Sequence, residues 1–307
     1  MIRPALQDDA FLADVAGVRA GGAGRGPHLW WLGQSGFLVH ADGRCLLLDP
    51  YLSDSLTRKY AATDKPHVRM TERVVDPARL DFIDVVTSSH AHTDHLDPDT
   101  LGPLAAANPG LVMVCPESIR ETARQRSGLR PERIVGLDAG MASGGERVCE
   151  LAGFGFTAVP AAHERLDRDA AGHLLCLGFV VRAGRRVIYH SGDTVRYEGM
   201  EERLAREGVD IALLPINGRA PERRVAGNLW GVEAADLATA IGARVVVPCH
   251  YDLFEFNTAT PEAFASRCQS LGQGYRILRA GERWDVGPSG WDAPRGASTP
   301  CRAGESG

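Results

Sequence analysis

The chain predicts an α/β protein: one domain in which two β-sheets pack together with helices on the outside. Three observations carry this. Strand-like apolar runs and helix-bearing stretches occur in both halves of the 307 residues. The runs Phe82–Thr87, Asp210–Pro215 and Arg244–Pro248 are apolar and β-branched, as buried parallel strands are. Several such runs end in polar residues, at the sheet edge where α/β proteins usually place their chemistry.

In chain order, residues 1–20 form a helix through Phe11, Leu12, Val15 and Val18, and Gly21–Gly26 is a flexible joint. Three strands follow, His28–Leu32, Gly36–His40 and Arg44–Asp49, the last two joined by the hairpin turn Ala41-Asp42-Gly43. His28 and His40 sit at strand ends as structural residues. Residues 50–80 are polar and poor in pattern, which in a compact domain points to a functional lid or to a surface excursion. After Phe82–Thr87 come a helix (Pro98–Ala107), a buried strand (Leu111–Cys115) and a helix (Glu117–Arg126). Further strands are Arg133–Leu137, Glu146–Leu151, Gly155–Pro160, Leu174–Val181 and Arg185–His190. Helices Val232–Ile241 and Pro261–Leu271 flank the strand Arg244–Pro248, with Thr260 as a cap and Pro261 in the first turn. The division expected is an N-terminal helix and linker (1–27), a catalytic domain (28–286) and a disordered tail (287–307).

Composition excludes several classes. Hydrophobic residues make up 44% and charged residues 24%, ordinary for a globular chain that buries a substantial core. A net charge of −5 gives no general attraction to nucleic acid. No apolar run approaches a membrane span, and the acidic N-terminus lacks a signal-peptide layout, so a cytoplasmic location is expected. The seven cysteines are odd in number and scattered. Cys45, Cys115, Cys176 and Cys249 fall in apolar runs and read as reduced, buried thiols, and there is no CxxC pair.

The chemistry concentrates in Ser88-Ser89-His90-Ala91-His92-Thr93-Asp94-His95-Leu96-Asp97. His90 and His92, two apart, face the same way in extended backbone. Asp94 and His95 follow a turn and face a second point nearby. Imidazole and carboxylate are ordinary ligands of Zn²⁺, Mn²⁺ or Fe. Three more strand ends complete the set: Ala158–His163, Tyr189–Thr194 and Val246–His250. His90, His92 and His163 would bind one ion and Asp94, His95 and His250 the other, with Asp193 bridging both.

These motifs, His90-Ala91-His92-Thr93-Asp94-His95, Gly192-Asp193 and His250, resemble the metallo-β-lactamase superfamily, which implies an αββα sandwich of two mixed sheets flanked by helices. Trp30-Trp31-Leu32-Gly33, Tyr189-His190-Ser191-Gly192-Asp193, Val209–Leu213 and Val246–Asp252 are similar to its L-ascorbate-6-phosphate lactonase-like branch, over roughly residues 28–285.

The resemblance implies a metal-dependent hydrolase with two divalent ions, Zn²⁺ or Mn²⁺, and a hydroxide shared between them as nucleophile. The expected substrate is a lactone or similar cyclic ester with a polar or phosphorylated group. Asp94 and Asp193 are the catalytic carboxylates, Asp94 also as proton shuttle. His190, Thr194, Asp97 and Asp252 are expected to support the ligands, with a core role as the other reading of His190. Arg219, Arg223 and Asn228 would meet an anionic small molecule, with Tyr197, Trp230 and Tyr51 as pocket walls. The alternatives are a small-molecule phosphodiesterase on the same two-ion site and a non-catalytic binding protein. Neither membrane nor nucleic acid is an expected partner, and a homo-oligomer stays open.

Overall fold

Two seven-stranded sheets form the centre of the computed structural model, which describes residues 1–21, 26–139 and 147–287. The first sheet takes β1 (His28–Gly33), β2 (Gly36–Ala41), β3 (Arg44–Leu48), β4 (Val85–Thr87), β5 (Val112–Pro116), β6 (Ile134–Leu137) and β14 (Arg283–Asp285), ordered β14-β1-β2-β3-β4-β5-β6. The second takes β7 (Val148–Leu151), β8 (Phe154–Pro160), β9 (Leu177–Ala183), β10 (Arg186–His190), β11 (Ile211–Pro215), β12 (Val245–Cys249) and β13 (Gly274–Tyr275), ordered β13-β12-β11-β10-β9-β8-β7. Each sheet is antiparallel on one side, through β14-β1-β2-β3 or β10-β9-β8-β7, and parallel on the other. This is the two-layer mixed sandwich that the sequence implied, with helices α1 (Asp8–Ala20), α3 (Pro98–Ala107), α4 (Arg120–Ser127), α6 (Gly231–Ala240) and α7 (Glu262–Leu271) among its flanking elements.

One apolar cluster runs between the sheets. Leu46, Val86 and Val114 of the first layer join Val180, Ile188, Leu213 and Val247 of the second. The layers also meet through polar and aromatic contacts. His190 Nε2 lies 2.9 Å from the Ser35 carbonyl, Leu177 N–H donates to the Ser89 carbonyl at 3.0 Å, and Trp31 stacks on Tyr251 at 4.4 Å. The β2–β3 turn is read as expected: Asp42 and Gly43 both have positive φ, +49° and +80°, as a type I′ hairpin requires.

Several elements differ from expectation. The segment 50–80 is not wholly irregular: it holds α2 (Ser55–Tyr60) and a 3₁₀ turn at Pro77–Arg79. The helix expected at Glu117–Arg126 opens as a 3₁₀ turn, Glu117–Ile119, before α4. The strand expected from Leu174 begins at Leu177, because the N–H groups of Leu174 and Leu175 go to Asp138 Oδ1 and the Asp167 carbonyl rather than to a neighbouring strand. Thr260 does not cap α7: Pro261 occupies the cap position and no side-chain cap bond forms. A short helix, α5 (Met200–Ala205), and strands β13 and β14 were not anticipated. Most of the Gly21–Gly26 joint, the start of the strand expected from Glu146 and nearly all of the expected tail lie outside the described residues. Among the described residues no helix is long and apolar enough to cross a membrane.

Candidate metal centre

The ligand-bearing loops follow β4 of the first layer and β8, β10 and β12 of the second, and they converge at one edge of the sandwich. The loop after β4 is braced from below. Arg126 of α4 donates to the carbonyls of Ala91 (2.6 Å) and Leu96 (3.1 Å), and Asp97 caps α3 by accepting from Asp99 N and Thr100 Oγ1. Gly192 turns the chain after β10 at φ +59°, and His250 itself adopts φ +61°.

Two groups of potential ligands result. His90, His92 and His163 form one, and Asp94, His95, Asp193 and His250 the other, each with one ligand atom per residue within 4.8 Å of the rest. All seven residues named from the sequence are therefore brought together. Asp193 reaches both groups: Oδ1 is 3.3 Å from His95 Nε2, and Oδ2 is 3.4 Å from His250 Nε2 and 3.7 Å from His163 Nε2. His92 is exposed, while His90, His95, Asp193 and His250 are buried, so the three-histidine group lies nearer solvent.

Three of the imidazoles are oriented by a partner behind them. His95 Nδ1 lies 2.8 Å from Asp49 Oδ2, His163 Nδ1 3.1 Å from the Gly227 carbonyl, and His90 Nδ1 3.0 Å from Ser89 Oγ. Bonds at Nδ1 leave Nε2 as the lone pair that faces the centre. Asp49 was not anticipated. It is fully buried at the end of β3 and also accepts from Thr87 Oγ1 and Ser89 N. The signal was available: Asp49 ends a strand beside β4, at the same sheet edge. Gln34, in the turn between β1 and β2, was missed as well, with Nε2 2.7 Å from Asp94 Oδ2.

The donor set fits divalent cations. His90 Nε2, His95 Nε2 and Asp193 Oδ1 are buried and have no hydrogen-bond partner, although such atoms are normally paired. They converge with the rest of the two groups, where bound cations would satisfy them. The charges agree. Burial alone would lower His250, but Asp193 and Asp94 outweigh it and hold it at about 9. Burial would likewise lower His95, but the surrounding carboxylates outweigh it and raise His95 well above its usual range. Against burial, the histidines keep Asp193 and Asp94 ionised, far below the ordinary carboxylate value. The site demands positive charge. In the outer group burial, aided by the neighbouring histidines, pushes His90 well down, which leaves it neutral and ready to ligate.

The other expected site residues sit differently. Asp252 is not behind a ligand histidine: its N–H donates to Thr258 Oγ1, and its carboxyl is raised by burial and by Glu262. Asp97 serves α3 rather than a ligand. His190 is a core residue bonded to Ser35. Thr194 Oγ1 accepts from Ala162 N at 3.0 Å, which ties the Asp193 loop to the His163 loop. The arginines already have partners. Arg219 makes a two-pronged contact with Glu233 at 2.7 Å, and Arg223 donates to the Asn217 and Thr258 carbonyls. Tyr197 donates to the Pro160 carbonyl, and the buried Tyr51 hydroxyl accepts from Leu56 N. Asn228 is fully buried and donates to Asn217. The guanidinium forks are thus engaged with the protein itself. Segment 54–73 lines a cavity of about 630 Å³ together with Met1, and none of the cavity's lining residues belongs to the ligand groups.

Residues 44–251 match the model of the family described as the beta-lactamase superfamily domain. A UPF0173 metal-dependent hydrolase of Aeropyrum pernix is 28% identical over 84% of this chain and 96% of its own. One of Methanoregula boonei is 30% identical over 85% of this chain and 99% of its own. Among solved structures, Igni18, a metallo hydrolase of Ignicoccus hospitalis, superposes with a TM-score of 0.60 at 24% identity, covering 84% of this chain and 97% of that one.

Proposed function

The chain belongs to the beta-lactamase superfamily domain family and is a metal-dependent hydrolase of that fold, and from this premise we propose that it opens a lactone or similar cyclic ester at a centre of two divalent ions. The observation that carries the two-ion reading is Asp193, whose carboxylate lies within 3.7 Å of histidines in both ligand groups. The lactone class is supported by the likeness of Trp30–Gly33, Tyr189–Asp193 and Val246–Asp252 to the lactonase-like branch.

His90, His92 and His163 would hold one ion and Asp94, His95 and His250 the other, shared through Asp193. Bound there, divalent cations supply Lewis acidity toward a substrate oxygen and acidify water. The histidine-only group suits zinc, and the group with two carboxylates suits manganese as well. The chain's own residues fix the rest. Asp49, Ser89 and the Gly227 carbonyl keep the imidazoles aimed at the centre. Asp94 has a side chain 16% exposed, against 5% for Asp193, and is the carboxylate that substrate can reach. In this reading Asp94 carries a proton from the attacking water to the leaving alkoxide oxygen. Cysteine is not the nucleophile: burial pushes Cys249 well above its usual range and Cys176 up to about 12.

Acid release in a pH-stat tests the proposal, with protein loaded with Zn²⁺ or Mn²⁺, a panel of lactones and phosphodiesters, and Asp193→Ala as control. Turnover confined to lactones and lost in the control is the expected result. Turnover confined to phosphodiesters would move the activity to that class. No turnover at full metal occupancy would reject both esters and point to another bond or to binding alone.

A further inference from the structure

Gln34 occupies a turn, yet it is only 1% exposed and its backbone sits at φ +49°, a region that residues other than glycine seldom enter. Its carbonyl accepts the His250 N–H at 2.8 Å and the Trp31 indole N–H at 3.0 Å. Its side chain reaches into the inner ligand group. Nε2 is 2.7 Å from Asp94 Oδ2 and 3.0 Å from His250 Nε2, while Oε1 at the other end is buried without a partner.

Once an ion takes the His250 Nε2 lone pair, the amide N–H that faces it at 3.0 Å has no acceptor there. Asp94 Oδ2 can accept from it. His250 Nε2 faces Asp94 Oδ2 at 3.5 Å and Asp193 Oδ2 at 3.4 Å, so once an ion displaces its proton its lone pair is aimed at the point those oxygens share. Rotating the amide by half a turn exchanges nitrogen and oxygen at the same positions. Either orientation leaves the far end of the amide without a protein partner. Only one of them puts an electron-pair donor beside two others. The spacings, 2.7 and 3.0 Å, are close to those between adjacent ligands of one six-coordinate ion, about 3.0 Å for bonds of about 2.1 Å.

We propose that Gln34 is a ligand of the inner ion through Oε1, beside Asp94, His95, Asp193 and His250. This rests on the metal-centre reading and not on the lactone. A neutral amide oxygen added to that group favours a hard ion that takes more than four ligands, so Mn²⁺ gains over Zn²⁺ at the inner position. The three-histidine group keeps its preference for zinc.

The competing role is positioning, in which the amide N–H only steadies Asp94. Two substitutions in the full-length chain separate these. Gln34→Gly removes the side chain and suits the positive φ. Gln34→Glu keeps an oxygen at the same reach and removes the N–H. Gln34→Asn, which tolerates this backbone but falls one carbon short, serves as a second truncation. The probe is Mn²⁺ alone, with no substrate, followed by titration calorimetry and by metal content after dialysis. Wild type should hold two ions. Gln34→Gly and Gln34→Asn should lose about 10–100-fold in affinity for one of them and leave the other unchanged. Gln34→Glu should hold both at least as tightly as wild type. The proposal is overturned if Gln34→Glu loses the ion as completely as Gln34→Gly, if the truncations bind like wild type, or if wild type holds a single ion. Absent lactone turnover would bear on the substrate and leave these outcomes readable.

Discussion

Asp49 shows how much one side chain can carry. A buried carboxylate costs several kcal/mol unless it is fully paired. Asp49 accepts from Thr87 Oγ1, Ser89 N and His95 Nδ1, and against the cost of burial these partners hold its carboxyl far below the usual range. Its charge fixes which His95 nitrogen faces the centre. Asp49→Asn keeps the shape and removes the charge, so inner-ion affinity should fall about 10–100-fold with the outer ion unaffected. Competition with a chelator reads this directly. Gly192 is the steric counterpart. At φ +59° a Cβ there would lie 2.5 Å from Ser89 Cβ and 2.6 Å from Ser89 Oγ, the atom beside His90 and His95. Gly192→Ala should cost about 1–3 kcal/mol from backbone strain alone. Its melting temperature should drop, and inner-ion affinity with it; a variant that melts and binds like wild type would show that the turn relaxes freely.

At the scale of elements, α1 makes the clearest packing prediction. Its Phe11 and Val15 enter the core, and Phe11 meets Trp30 edge-on at 6.5 Å. Asp14 accepts from the Trp30 indole and from Arg283 of β14, both at 2.8 Å, so the helix ties the edge strand to β1. Phe11→Ala should lower the unfolding free energy by about 3–5 kcal/mol in a urea titration. That helix was legible because its apolar spacing is helical. The central strands were legible because they are continuous apolar runs, and the ligand loops because several strand ends carry histidine or aspartate. The rest failed for identifiable reasons. β13 and β14 are two and three residues long, too short to show a period. Asp97 looked like a supporting carboxylate because it lies two residues from His95, but helix capping claims it, and the carboxylate that does orient His95 is 46 positions away along the chain. Arg219 and Arg223 looked available because Glu233 and the Asn217 and Thr258 carbonyls reach them only through folding.

On the scale of the whole molecule, both ligand groups draw on both sheets. His90 and His92 follow β4 of the first layer and His163 follows β8 of the second; Asp94 and His95 belong to the first, Asp193 and His250 to the second. Each ion would therefore join the layers at their shared edge, where buried carboxylates and histidines otherwise face one another. Binding to the folded state and not to the unfolded chain adds RT ln(1 + [L]/Kd), about 2.7 kcal/mol per site at a hundred times Kd. For a domain near this size that corresponds to a rise in melting temperature of roughly 5–10 °C. Thermal melts of chelator-treated protein, titrated with Zn²⁺ or Mn²⁺, should show this rise, continuing linearly with the logarithm of free ion. Asp193→Ala removes the carboxylate that reaches both groups and should abolish most of it. His173, paired with Asp169 away from the centre, gives the control His173→Ala, which should keep the full shift. A shift equal in all three proteins would place the ions on surface groups and separate the stability of the sandwich from the centre built at its edge.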